Sequence, residues 1–217
     1  MKDRSQTLAT EGVRFFGEIS ASVSHELKNV LAIVNENAGL LEDMARMVEQ
    51  GMPLSPERFI AMARSVARQV ERGDRIIKNM NRFAHSADKA RETVDVGDLV
   101  QFMVRLTDRR IRTKGNPPQI DLPASPAIVE TNCFYLESLV WSCLDRSLDA
   151  CARDETVTIR VDRTEENAIR IGFSGGAAGL SAAAEPFPSP REKTVADMLD
   201  ARLTLNEQTG HIGLILP

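Results

Sequence analysis

Residues 15–34 read FFGEISASVSHELKNVLAIV, and this stretch decides how the first half of the chain folds. Counted at 100° per residue, Phe16, Val23, Leu27, Val30 and Val34, with Leu41 beyond them, fall in one narrow stripe. That spacing suits helices packed at a small crossing angle. His25 falls on the opposite side, among Glu18, Ala21, Ser22, Asn29 and Ala32. These neighbours are mostly small, so a partner could approach the imidazole closely; Ala21, Ser22 and Ala32 are the expected docking residues. The helical pattern runs over 7–48 without an internal proline. Gly17 and Gly39 are small local costs within it.

Reading outward, a second helical pattern covers 56–87, with Gly73 inside it. The connection EQGMPLSPE carries a stop and a start: Gly51 can end the first helix, Ser55 can cap the second, and Pro56 suits its first turn. So short a connection folds the two helices back antiparallel. One hairpin has too narrow a core to bury both seams, so two copies are expected to form a dimeric four-helix bundle. On the second helix Phe59, Ala63, Val66, Val70, Ile77 and Met80 form the packing side, and Arg64, Arg68, Arg72 and Arg75 recur opposite it. This basic stripe is either a docking surface for an acidic partner or a solvated face paired locally with Glu71 and Asp74. The second is the expectation.

From about residue 92 the pattern becomes mixed. QIDLP reads as a short strand and Cys133–Ala152 as a buried helix. TVTIRVD and AIRIGFS alternate as strands around the turn RTEEN; RLTLNE and HIGLILP form a final hairpin around QTG. The expected fold class is α+β: a helical hairpin over 1–90, then an α/β sandwich over 91–217. Residues 175–190 are a loose segment rich in Gly, Ala and Pro.

Composition excludes several classes. A net charge of −4 gives no case for nucleic acid as a partner. No apolar run approaches the roughly 20 residues of a membrane helix, and the N-terminus has no signal-peptide core. A cytoplasmic location is therefore expected. Cys133, Cys143 and Cys151 lack metal-ligand spacing and read as free thiols, so no metal is expected.

An exposed histidine on a helix is usually incidental, but the local string changes that. Ser24-His25-Glu26-Leu27-Lys28-Asn29 resembles the phosphoacceptor box of sensor histidine kinases, usually S-H-E-L-R/K-N-P-L. The likeness continues through Phe15, Phe16 and Ile19 upstream and Leu31, Ala32 and Ile33 downstream. Val30 replaces the common proline, so the helix keeps a backbone hydrogen bond there. The resemblance implies that His25 accepts a phosphoryl group. A neutral imidazole has one nitrogen free to attack phosphorus while the other carries the proton. Glu26 holds the family's position for orienting and accepting that proton, and Asn29 the position that supports dephosphorylation of the partner. Lys28 is either a cation that stabilises the added charge or part of an ordinary solvated face.

The second half resembles, more weakly, the ATP-binding domain of the same kinases. Residues 132–140 match D-P-x-x-L-x-Q-V-L, and Trp141–Ala150 match L-N-L-L-x-N-A-x-x-A. The two asparagines of that pattern fall on Ser142 and Arg146, and the second normally helps hold the nucleotide's Mg²⁺. An arginine offers a cation and no oxygen ligand. The family's adenine-binding Asp falls on Gly175, and KTVADML occupies the place of the glycine-rich phosphate loop. The apolar framework of Val157, Ile159, Val161, Ile169 and Ile171 is kept, so the fold is expected without its nucleotide.

The expected function is a histidine phosphotransfer protein of a phosphorelay, a homodimer without a sensor domain if the chain is complete. It would exchange phosphoryl groups at His25 with response-regulator receiver domains, which supply their own Mg²⁺. Phosphotransferases with a degenerate ATPase-like domain give a precedent, although their histidine motif usually reads differently from HELKN. The alternatives are a divergent ATP-dependent sensor kinase, a non-catalytic pseudokinase that binds and regulates a response regulator, and a receiver phosphatase using Glu26 and Asn29.

Overall fold

A computed structural model describes residues 2–53, 55–152, 154–175 and 186–217, with side chains from residue 4. The chain is α+β. Two long helices, α1 (Lys2–Glu49) and α2 (Pro56–His85), precede a mixed region. The turn between them follows the sequence signals. Gly51 has φ +79°, its N–H donates to Val48 O at 2.9 Å, and the next N–H, of Met52, donates to Met47 O at 3.1 Å. This pair of bonds satisfies the last carbonyls of α1, and its left-handed residue favours glycine. Ser55 Oγ accepts from Arg58 N at 3.4 Å and opens α2.

Packing divides the chain into two units, residues 20–82 and residues 1–19 with 83–217. The first is the hairpin proper. Within it Val23, Val30 and Ile76 are buried, and Gly73 lies against the Val30 side chain. The second unit therefore gains the start of α1 and the end of α2, a division different from a cut at residue 90. The reason is aromatic. Phe15 and Phe83 meet edge to face with centroids 5.3 Å apart, and each packs on Phe134, at 5.4 and 5.8 Å.

The rest of that unit comprises β1 (Glu92–Asp95), α3 (Val96–Leu106), α4 (Asp108–Lys114), β2 (Gln119–Asp121), β3 (Ile128–Thr131), α5 (Cys133–Ala150), β4 (Thr158–Arg163), β5 (Ile169–Ser174), α6 (Pro190–Met198), β6 (Arg202–Leu205) and β7 (Ile212–Leu216). Strands β1 and β3 pair antiparallel; the main sheet has the order β2-β4-β5-β7-β6, parallel only at β2–β4. Alternation turns Ile159, Val161, Ile169, Ile171, Phe173, Leu214 and Leu216 into the core. It leaves Arg170 outside, where it forks onto Asp162 at 2.8 Å. Opposite the sheet, α5 contributes Leu136, Leu139, Val140, Cys143 and Leu144. Burial pushes the Cys143 thiol well above its ordinary range.

The strands and α5 match the sequence pattern, while α3, α4, α6 and the β1–β3 pair were not foreseen. No helix among the described residues is long and apolar enough to cross a membrane. The loose segment noted at 175–190 falls largely outside the described residues.

Candidate functional site

His25 lies on α1 in an unbroken helix and is exposed, as are Ala21, Lys28, Asn29 and Ala32. Ser22 differs from the expectation: it is 8% exposed and belongs to the packed side of α1. The same shift separates Phe15 (3% exposed) from Phe16 (38%). The buried arc of α1 is turned about 60° from the stripe read off the sequence, toward Ser22. The physical reason is that the apolar arc is wider than one helix contact. One edge packs against α2 and the other is left open, with Leu31 at 65% exposure.

The open edge has a counterpart on α2, where Phe59, Val70 and Ile77 are exposed. In two antiparallel helices that face each other, residues turned the same way round from each contact line share one side of the pair. Leu27, Leu31 and Val34 on α1 and Phe59, Val70 and Ile77 on α2 satisfy that condition. The hairpin thus has an apolar side, and by the same geometry His25 lies on the other side.

Glu26 does not meet the imidazole. Its carboxylate accepts a hydrogen bond from Arg72 Nη2 at 2.9 Å, with the Glu26 side chain 14% exposed and that of Arg72 42%. The expected local pairing of the basic stripe is absent among the described residues: Asp74 pairs with Lys78 at 2.8 Å, and Arg64, Arg68 and Arg75 have no ion pair. Lys28 likewise has none among the described residues. Sequence reasoning missed Arg72 as a partner of Glu26, since a stripe alone does not fix the register of two helices.

In the sandwich unit, the polar positions of α5 are occupied by protein groups. Ser142 Oγ donates to Glu192 Oε1 at 2.9 Å, while the same carboxylate accepts the Ser189 N–H at 2.8 Å in the capping box of α6. Burial pushes Glu192 upward, but the bonds from Ser189 and Ser142 outweigh it and hold the carboxyl below its ordinary range. Asp145 and Asp149 each take Lys114 Nζ at 2.7 Å. Burial still raises Asp145, against the opposing pull of Lys114. Glu18 accepts from Trp141 Nε1 at 3.0 Å and from Arg110 at 2.6 Å. Arg146 Nε is buried without a hydrogen-bond partner among the described residues.

Several of these residues line one cleft. The cleft they line holds about 220 Å³, below the roughly 300–1,000 Å³ of typical small-molecule sites. Five carboxylates (Glu11, Glu18, Asp145, Asp149 and Glu192) and three arginines (Arg14, Arg146 and Arg191) border it, and Glu11 pairs with Arg14 at 3.0 Å and with Arg191 at 3.3 Å. Gly175 has φ +128°, and a Cβ there would stand 3.0 Å from Thr156 O and Val157 Cα. No aspartate can occupy this backbone without strain. Gly175→Asp is therefore expected to cost about 1–3 kcal/mol and to create no nucleotide site; thermal melts and a Mg·ATP titration of the variant check both.

No protein-family model matches the chain, and no curated protein matches it. Solved structures with partial likeness include the catalytic domain of histidine kinase ThkA, with TM-score 0.47 and 10% identity over 59% of this chain and 97% of that one. The Acinetobacter baumannii histidine kinase AdeS gives 0.45 and 12% over 83% and 94%, and a bacterial phosphotransferase gives 0.45 and 13% over 92% and 94%. At these scores and identities the likeness carries no argument, so the residues and their geometry carry the reading.

Proposed function

We propose that this chain is a histidine phosphotransfer protein that accepts and donates a phosphoryl group at His25, working with response-regulator receiver domains. The supporting observation is a contrast. An exposed histidine sits in the string SHELKN on a continuous helix, and in the sandwich unit Arg146 and Gly175 stand where the resemblance calls for a Mg²⁺-binding asparagine and an adenine-binding aspartate. Phosphoryl would arrive from the aspartyl phosphate of one receiver. The lone pair of an imidazole nitrogen forms the N–P bond, the P–O bond breaks, and its electron pair leaves on the aspartate; the other ring nitrogen keeps its proton. The receiver's own Mg²⁺ neutralises the charge in flight, so no nucleotide or metal is assigned to this chain. The test is transfer from a phosphorylated receiver in the absence of ATP. Saturable, Mg²⁺-dependent ATP binding would sink the proposal in favour of a divergent kinase.

The chain acts as a homodimer in this reading, its apolar side covered by a second copy to complete a four-helix bundle. Burying one aliphatic side chain contributes about 1.5–3 kcal/mol. The double variant Leu31→Glu/Val70→Glu is then expected to weaken association at least ~100-fold. Light scattering across a concentration series checks this, and an unchanged dimer would overturn the assignment of that side.

A further inference from the structure

His25 and the basic stripe of α2 open onto the same side of the hairpin. Asp43 follows His25 by 18 residues, five full helical turns, so the two share an angular position on α1. Ala61 precedes Arg68 by 7 residues and Arg72 by 11, which places all three within about 40° of one another on α2. Asp43 and Ala61 line one groove together. The side that carries His25 on one helix therefore carries Arg68 and Arg72 on the other. The bond from Arg72 to Glu26 fixes the level along the axis, since Glu26 is the next residue after His25, one ~3.8 Å Cα step away.

We infer that Arg72 is the counter-cation of phosphorylated His25: its guanidinium rests on Glu26 and passes to the phosphoryl oxygens when His25 is charged. This inference rests on His25 being the phosphoacceptor. A phosphoryl group brings about −1.5 to −2 charges and three acceptor oxygens, against the single charge of a carboxylate. A guanidinium stays protonated at any working pH and binds phosphate through two parallel N–H bonds. Arg72 is partly exposed, so it has room to swing. Arg68 and Arg75, one turn to either side and unpaired among the described residues, add to the same field.

The test charges the full chain with phosphoramidate and measures the steady-state ratio of phosphorylated to unphosphorylated protein. Arg72→Met is expected to lower the ratio about tenfold or more, with Arg72→Lys restoring part of it and the loss shrinking at high salt. Glu26→Gln removes the competitor for Arg72 and is expected to raise the ratio, by a factor that shrinks in the Arg72→Met background. If Arg72 only braces the two helices, both single variants lower the ratio together, and the inference is overturned. An unchanged ratio in Arg72→Met, with wild type labelled and His25→Ala blank, overturns it while leaving the phosphoacceptor intact. A wild-type chain that takes no label at His25 removes the reading beneath it.

Discussion

Replacement of His25 by alanine is expected to reduce phosphoryl acceptance to background while leaving the fold and receiver binding intact. The side chain is exposed on α1 and takes no hydrogen bond or ion pair among the described residues, so its removal leaves no cavity and no orphaned partner. Everything lost is chemistry. The measurement is transfer from a panel of phosphorylated receivers to wild type and variant, with melting curves alongside. The wild-type label is expected to be acid-labile and alkali-stable, as an N–P bond is. If neither protein accepts label and both still bind a receiver, the chain is a binding module and the phosphotransfer proposal falls.

Phe83→Ala carries the largest expected loss of stability. Phe83 is fully buried and closes an aromatic cluster with Phe15 and Phe134. Truncating such a ring costs about 3–5 kcal/mol, a large share of the roughly 5–15 kcal/mol that holds a domain together. The midpoint of thermal unfolding should fall by about 10 °C or more. Phe16 stacks on the same ring at 5.5 Å but is partly exposed, so Phe16→Ala should cost less than half as much. Circular-dichroism melts of the two variants decide the matter. Equal losses would mean that the buried side of α1 is the one expected from the sequence stripe.

That comparison marks where the sequence could be read and where it could not. Period-two alternation placed β4, β5 and β7, and Gly51, Ser55 and Pro56 placed the hairpin turn, because these signals are local. The rotation of α1 was not local. Phe16, Leu27 and Val34 are as apolar as Phe15, Val23 and Val30, and only a partner helix decides which edge is buried. Ser22 was lost to the same ambiguity. Helix α6 carries a local signal of its own, the Ser189-Pro190-Arg191-Glu192 start, immediately before the stretch where the resemblance called for a glycine-rich loop. At the site, the exposure of His25 followed from its place opposite the apolar stripe. The Arg72–Glu26 pair needed the register of two helices, which depends on side-chain packing far from either residue.

The two-sided hairpin has a consequence for counting. Apolar residues occupy one side and His25 the other. A bundle assembled through the apolar sides would carry its two imidazoles on outer surfaces that face away from each other. Neither receiver would then shadow the second. Occupancy should rise independently at the two sites, without cooperativity, to two phosphoryl groups per assembly. Such a carrier could take a group from an upstream donor on one flank while handing another downstream on the opposite flank.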